Sequence, residues 1–255
     1  MVRTEVDGRT WTLTFDRPEA RNAFTESTAR ELVAALGEAA DDDARAVVLT
    51  GEGKAFSAGG DLEAMRDREE TPAEAYERVQ ETLNAVVEAI LTAPFPVVSK
   101  VNGDAVGAGT NVAAACDFVV ADEGARFGEV FVNVGLIPDS GGTVLLPQLV
   151  GLRRAKELTM TGRLFNAKEA REMGLINEAV ESGELDAAVS ELLETLASKP
   201  TETLALIKQG LHENVGRPFR DGLEREAHLQ VQAYATNSHA EGVDAFLEGR
   251  SPDFE

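Results

Sequence analysis

Cysteine is almost absent. Cys116 is the only one in 255 residues, so no disulfide can close within the chain, and a reducing compartment is the simplest reading. Histidine is scarce too: His212, His228 and His239 all lie in the last fifth. With one Cys and no close His pair, no metal site is expected. No run near 18 apolar residues occurs, and Met1-Val2-Arg3-Thr4-Glu5 has no secretory pattern. The expectation is a soluble, cytoplasmic protein without a membrane partner.

Positive charge is also in short supply. Lys and Arg total 24 against 45 Asp and Glu, a formal net charge of -21, and only six of the basic residues are Lys. Apart from Asp41-Asp42-Asp43, the acids are scattered through the chain. Such a coat predicts adaptation to high salt (a halophilic source), because screening removes self-repulsion. The melting temperature is expected to rise along a salt series into the molar range, and a salt-independent midpoint would contradict this. The same balance argues against a nucleic-acid partner, which needs clustered Lys and Arg.

What is present is an ordinary globular core. Hydrophobic residues make up 43% and charged residues 27%, enough for one large domain or one domain with an appendage. Trp11, Leu13 and Phe15 alternate with polar residues and predict a strand over 9–15. Leu32, Val33 and Leu36 predict a helix from about Thr25. Three unbroken apolar runs, 46–50, 96–101 and 118–121, read as buried parallel strands. A long helix is expected over 72–91, and the alanine run Val112–Ala115 is expected to open a tightly packed one. From Lys168 onward the pattern is almost entirely helical, with helices over 187–198, 201–214 and 218–235. Strands, Gly-rich loops and helices alternate through the first 150 residues, which predicts an α/β architecture with covered sheets. No linker divides the chain. The division expected is a core over 1–198 and a helical segment over 199–255.

Three loops could carry chemistry. Ala55-Phe56-Ser57-Ala58-Gly59-Gly60-Asp61-Leu62 leaves a strand with only small residues at its apex, where a ligand can approach free N–H groups. A plain Gly-rich turn explains it equally well. Val101-Asn102-Gly103-Asp104-Ala105-Val106-Gly107-Ala108-Gly109-Thr110-Asn111 also follows a strand, and it runs into a helix whose first amides face the loop. Its glycines fit neither a dinucleotide fingerprint nor a P-loop. The third loop is Gly135-Leu136-Ile137-Pro138-Asp139-Ser140-Gly141-Gly142-Thr143. There Asp139 suits a turn or helix cap as well as it suits a catalytic acid.

Together these loops resemble those of the crotonase superfamily, the enoyl-CoA hydratase/isomerase family. The matching runs are Arg17-Pro18 with Asn22-Ala23, the Phe56–Asp61 loop, Val101-Asn102-Gly103 with Gly107-Ala108-Gly109, Gly135–Pro138 with Gly141-Gly142-Thr143, and the tail at 241–247. The resemblance spans nearly the whole chain in the family's order. It implies repeated ββα turns wound as a spiral, with a C-terminal helical trimerisation segment forming a homotrimer or a dimer of trimers. It also implies an acyl-CoA thioester substrate whose carbonyl meets two backbone N–H groups, which by position are those of Gly60 and Ala108. Ala58, Gly59, Asp61 and Leu62 would cradle the CoA through backbone atoms. Each oxyanion donor stabilises the enolate by about 3 kcal/mol. No cofactor beyond the substrate's own CoA is implied.

The chain departs from the family's hydratases at two positions. Their two glutamates fall here on Asn111 and Phe131, and neither side chain can transfer a proton to water. Glu129 lies two residues from Phe131 and, read on a strand, would point the same way a step earlier. Asp139 remains, in a Gly-Leu-Ile-Pro-Asp-x-Gly-Gly-Thr run followed by Leu145-Leu146-Pro147. This run is similar to that of the phenylacetate-pathway ring isomerase type, whose Asp is the base. The expected activity is a double-bond shift in an enoyl-CoA, with Asp139 as acid/base and Asn111, Glu129 and Phe131 as supporting candidates. The alternatives are an enoyl-CoA hydratase of fatty-acid oxidation, an enzyme using Asp139 as nucleophile, and a non-catalytic acyl-CoA-binding protein. In the tail, Phe246 and Arg250 either meet CoA on a neighbouring subunit or form an exposed helix end.

Overall fold

The computed structural model describes residues 1–254. Two sheets form the core. The larger has six strands in the order β1-β2-β3-β5-β7-β10, and the smaller has four in the order β4-β6-β8-β9. Their ranges are β1 Val2–Asp7, β2 Thr10–Phe15, β3 Ala46–Gly51, β4 Ala55–Ser57, β5 Val97–Val101, β6 Asp104–Val106, β7 Phe118–Asp122, β8 Arg126–Gly128, β9 Leu164–Asn166 and β10 Glu178–Val180. The helices are α1 Glu26–Asp41, α2 Leu62–Arg66, α3 Pro72–Val79, α4 Ala85–Thr92, α5 Ala108–Ala115, α6 Gly142–Thr161, α7 Ala167–Glu172, α8 Leu185–Ala197, α9 Thr201–Asn214, α10 Phe219–Tyr234 and α11 Asn237–Glu248. None is long and apolar enough to cross a membrane.

The three apolar runs form β3, β5 and β7, adjacent and parallel in the large sheet. They are apolar throughout because both faces are covered. Val47, Leu49, Val97 and Val101 join the main core with α1 and α4, while Val48, Val98 and Val120 pack against Leu185, Val189 and Leu196 of α8. Single-sided strands would alternate instead. Helix α8 therefore belongs to the core, and the expected division near 198 falls in the turn between α8 and α9. Among the described residues beyond 200, only Lys208, Leu229 and Ala245 are buried.

Several expectations need correction. Strand β2 begins at Thr10, and β1, absent from the sequence reading, pairs antiparallel with it along the edge. Five of the six residues of β1 are exposed, so it has no apolar alternation to read. The Asp7-Gly8 turn was its only signal, with Gly8 at φ +58°. The stretch after Lys168 is not purely helical, because β10 adds a sixth strand against β7. The long helix over 72–91 is two helices joined by a π turn at Gln80–Asn84, an irregularity common near functional sites.

The small sheet positions the chemistry. Strand β4 pairs parallel with β6, and β6 with β8. Parallel neighbours end on the same side, so the loops at Ala58, Gly107 and Glu129 emerge together.

Candidate active site

The first loop is clamped from below. The Asn22 side chain donates to the carbonyls of Glu52 (2.9 Å) and Ala55 (2.7 Å) and accepts from the Arg17 amide (3.0 Å). The Ser57 hydroxyl donates to the Asn22 carbonyl at 2.8 Å. The Arg17–Asn22 run thus shapes the loop, which its sequence pattern could not reveal.

Most of the loop's amides are already engaged. Ala58 N–H donates to Arg21 O (2.9 Å), Gly59 N–H to Ser57 Oγ (3.1 Å), and Asp61 N–H to Phe24 O (3.0 Å). Between them, Gly60 N–H has no acceptor among the described residues. Ala108, the first residue of α5, is in the same position, as a helix start dictates. The expectation that the backbone of 58–62 cradles CoA therefore narrows to groups still free, such as the Ala58 carbonyl. The Asp61 carboxylate is engaged as well. It caps α2 by accepting from Ala64 N–H (3.1 Å) and pairs with Arg17 at 3.1 Å. That amide bond and Arg17 hold it below the usual carboxylate range, against its partial burial. Leu62 is exposed at the start of α2.

Glycine is required where the two loops meet. Gly59 has φ +85°, and a Cβ there would lie 2.6 Å from Val106 O and 3.3 Å from Ala108 N. Gly59→Ala should push the loops apart and lower kcat by about 10²–10³, as loss of one oxyanion donor does. Steady-state kinetics on a variant shown to be folded by circular dichroism would check this, and an unchanged kcat would contradict it.

Asp139 and Gly60 line one cavity of about 40 Å³, together with Phe24, Met65, Arg68, Arg78 and Thr82. Asp139 is half-buried. Its Oδ1 accepts from Ser140 Oγ at 2.8 Å, and Ser140 is buried at a left-handed φ of +51°. The Asn111 side chain donates to the Asp139 carbonyl at 2.9 Å, so it holds the Asp139 turn and does not cap its own helix, whose start has no side-chain cap. Arg78, bound to Glu70, is near enough to feel the Asp139 charge. No sequence motif marks Arg78 or Met65, and Ser140 stands in the third loop with no role that its sequence alone assigns.

Phe131 is buried, its ring 3.8 Å from the Cβ position of Gly107, and it fills space with no acid function. Glu129 was misplaced by the strand reading. It follows β8 and precedes a 3₁₀ turn at Val130–Val134. It is fully buried. Burial pushes its carboxyl up to about 8; the Asn111 amide works against the rise and the Asp139 charge adds to it.

In the tail, Arg250 pairs with Glu241 (2.6 Å) and Glu248 (2.7 Å), and Phe246 is 85% exposed. Among the described residues, no group of three or more His, Cys, Asp or Glu could hold a metal ion.

Known proteins resemble this chain along its whole length. Residues 7–255 match the enoyl-CoA hydratase/isomerase family. The chain is 38% identical to a probable enoyl-CoA hydratase of Rhodobacter capsulatus over 99% of this chain and 97% of that one. It is 36% identical to 1,2-epoxyphenylacetyl-CoA isomerase of Escherichia coli, over 99% and 97%. Its backbone superposes on the crystal structure of an enoyl-CoA hydratase from Polaromonas sp. JS666 with a TM-score of 0.93, at 32% identity, covering 100% and 99%. With a match this long, and with named relatives that are enzymes, this chain is an enzyme of the enoyl-CoA hydratase/isomerase family, built on the crotonase fold.

Proposed function

We propose that the enzyme shifts a carbon–carbon double bond in an enoyl-CoA thioester. The observation that carries this reading is that Asp139 and Gly60 line one cavity. Gly60 N–H and Ala108 N–H polarise the thioester oxygen, and Asp139 removes a proton from one carbon. The resulting enolate rests on the two amides. Asp139 then returns the proton to a carbon two positions away, so one carboxylate serves as base and then acid. The reaction requires nothing bound beyond the CoA ester itself. Conversion of 3-enoyl-CoA to 2-enoyl-CoA, followed by the absorbance of the conjugated thioester, tests it. An enzyme that hydrates crotonyl-CoA but leaves 3-enoyl-CoA untouched would refute it.

Hydration is the second reading. It is favoured by relatives named as hydratases and by the raised proton affinity of Glu129. Against it stand Asn111 and Phe131 in place of acids, and the sealing of both Glu129 oxygens from solvent.

The proposal includes a homotrimer or a dimer of trimers. Phe219, Phe246 and Leu247 of the last helices are 76–85% exposed, and apolar surface of this kind marks an interface. A monomer by sedimentation equilibrium would contradict this.

A further inference from the structure

Glu129 is the one carboxylate whose two oxygens are both buried without a hydrogen-bond partner among the described residues. Leaving an ionised carboxylate in that state costs several kcal/mol, which favours the protonated form. Its position is specific. Gly107 N–H donates to Gly128 O at 2.7 Å, which seats the next residue against the first turn of α5. From α5 it meets the neutral amide of Asn111, and from the turn before α6 it feels the Asp139 carboxylate. The Asn111 amide favours the ionised form of Glu129 as a hydrogen-bond donor would, but the pair does not form a well-aligned hydrogen bond, and both Glu129 oxygens stay unpartnered. Arg78 faces Asp139 from α3.

A negative charge at Glu129 would stand beside the start of α5, where an enolate must be stabilised, and beside Asp139. It would oppose the enolate and compete with Asp139 for the proton. Asp139 lines the cavity and Glu129 does not, so Glu129 acts through its neighbours and not on substrate. We propose that Glu129 is a positioning residue of the reaction, held as a neutral acid behind Asn111 so that the oxyanion site and Asp139 face no competing anion. This rests on the isomerase reading.

The test compares wild type with Glu129→Gln, an isostere neutral at every pH. In wild type, kcat for 3-enoyl-CoA is expected to fall roughly tenfold as pH rises through the value of about 8 at which Glu129 ionises. In Glu129→Gln the ratio of alkaline to neutral kcat should rise by about the same factor, with KM following no such trend. An identical alkaline limb in both proteins overturns the proposal.

A melting series needs no catalysis and separates the two claims. The folded state raises the proton affinity of Glu129, so the stability that the neutral acid contributes is complete below the ordinary Glu range. It declines as pH climbs toward about 8. Glu129→Gln should lack that decline, and an unchanged decline overturns the neutral acid. Loss of the decline with the alkaline limb intact overturns the positioning role. If wild type shows no isomerisation at all, the isomerase reading and this role both fall, while the melting series still reports the state of Glu129.

Discussion

Asp139→Asn is expected to reduce kcat for 3-enoyl-CoA isomerisation by about 10²–10⁴, the range for removing a positioned general acid/base. Asn is nearly isosteric and can still accept from Ser140 Oγ, which contacts Asp139 Oδ1 at 2.8 Å. The Asp139 carbonyl keeps its bond from Asn111 because that contact is to the backbone. Fold, thioester binding and KM should therefore change little, and the loss should fall on kcat. Equal kcat in variant and wild type would remove Asp139 from the chemistry. A rise in KM alone would make it a binding residue. The same variant separates the two readings of function: a hydratase relying on Glu129 would keep its crotonyl-CoA activity.

The largest stability effect is expected at Lys208. Its ammonium is buried and lies 2.8 Å from Asp117 Oδ2 and 3.3 Å from the Phe95 carbonyl. Asp117 Oδ2 also accepts the Val97 amide at 2.7 Å, at the start of β5. This pair fastens α9 to the large sheet. Lys208→Ala would leave the half-buried Asp117 carboxylate, whose side chain is 15% exposed, without its cation, which costs up to about 3–5 kcal/mol. The double variant Lys208→Met with Asp117→Asn should cost less, because no charge is then stranded. Equilibrium urea denaturation of the two proteins checks the order. If the single variant loses less than about 1 kcal/mol, the level of an exposed ion pair, α9 is held by something else.

Elements with apolar patterns were legible in the sequence. The runs forming β3, β5 and β7 declared themselves because each is covered on both faces, and the helix at Thr201–Asn214 falls where its pattern placed it. Strands β4, β6, β8 and β9 have three residues each, too few for a period to emerge, yet they carry the site. Strand β1 has exposed side chains, so nothing in its composition distinguishes it from a polar loop.

The loops around Gly60, Ala108 and Asp139 could be singled out from sequence because small residues at strand ends have few other uses. Their meeting could not be read there. A linear string does not say that β4, β6 and β8 are parallel neighbours, and that pairing brings the chain after them, at Ala58, Gly107 and Glu129, some 50 and 70 positions apart, to one edge. Nor could it rank Glu129. Alternation along an assumed strand made it a stand-in for the acid missing at position 131, whereas in the fold it follows β8, precedes a 3₁₀ turn and is fully buried.

The sequence by itself determined the covered sheets, the family resemblance and the absence of acids at 111 and 131, since each depends only on which residue stands at which position. Tertiary structure alone decided which amides are free, which acidic residue shares a cavity with Gly60, and which carboxylate is dry. Those properties depend on neighbours distant in the chain, through burial and competition for hydrogen-bond partners, and no local pattern encodes them.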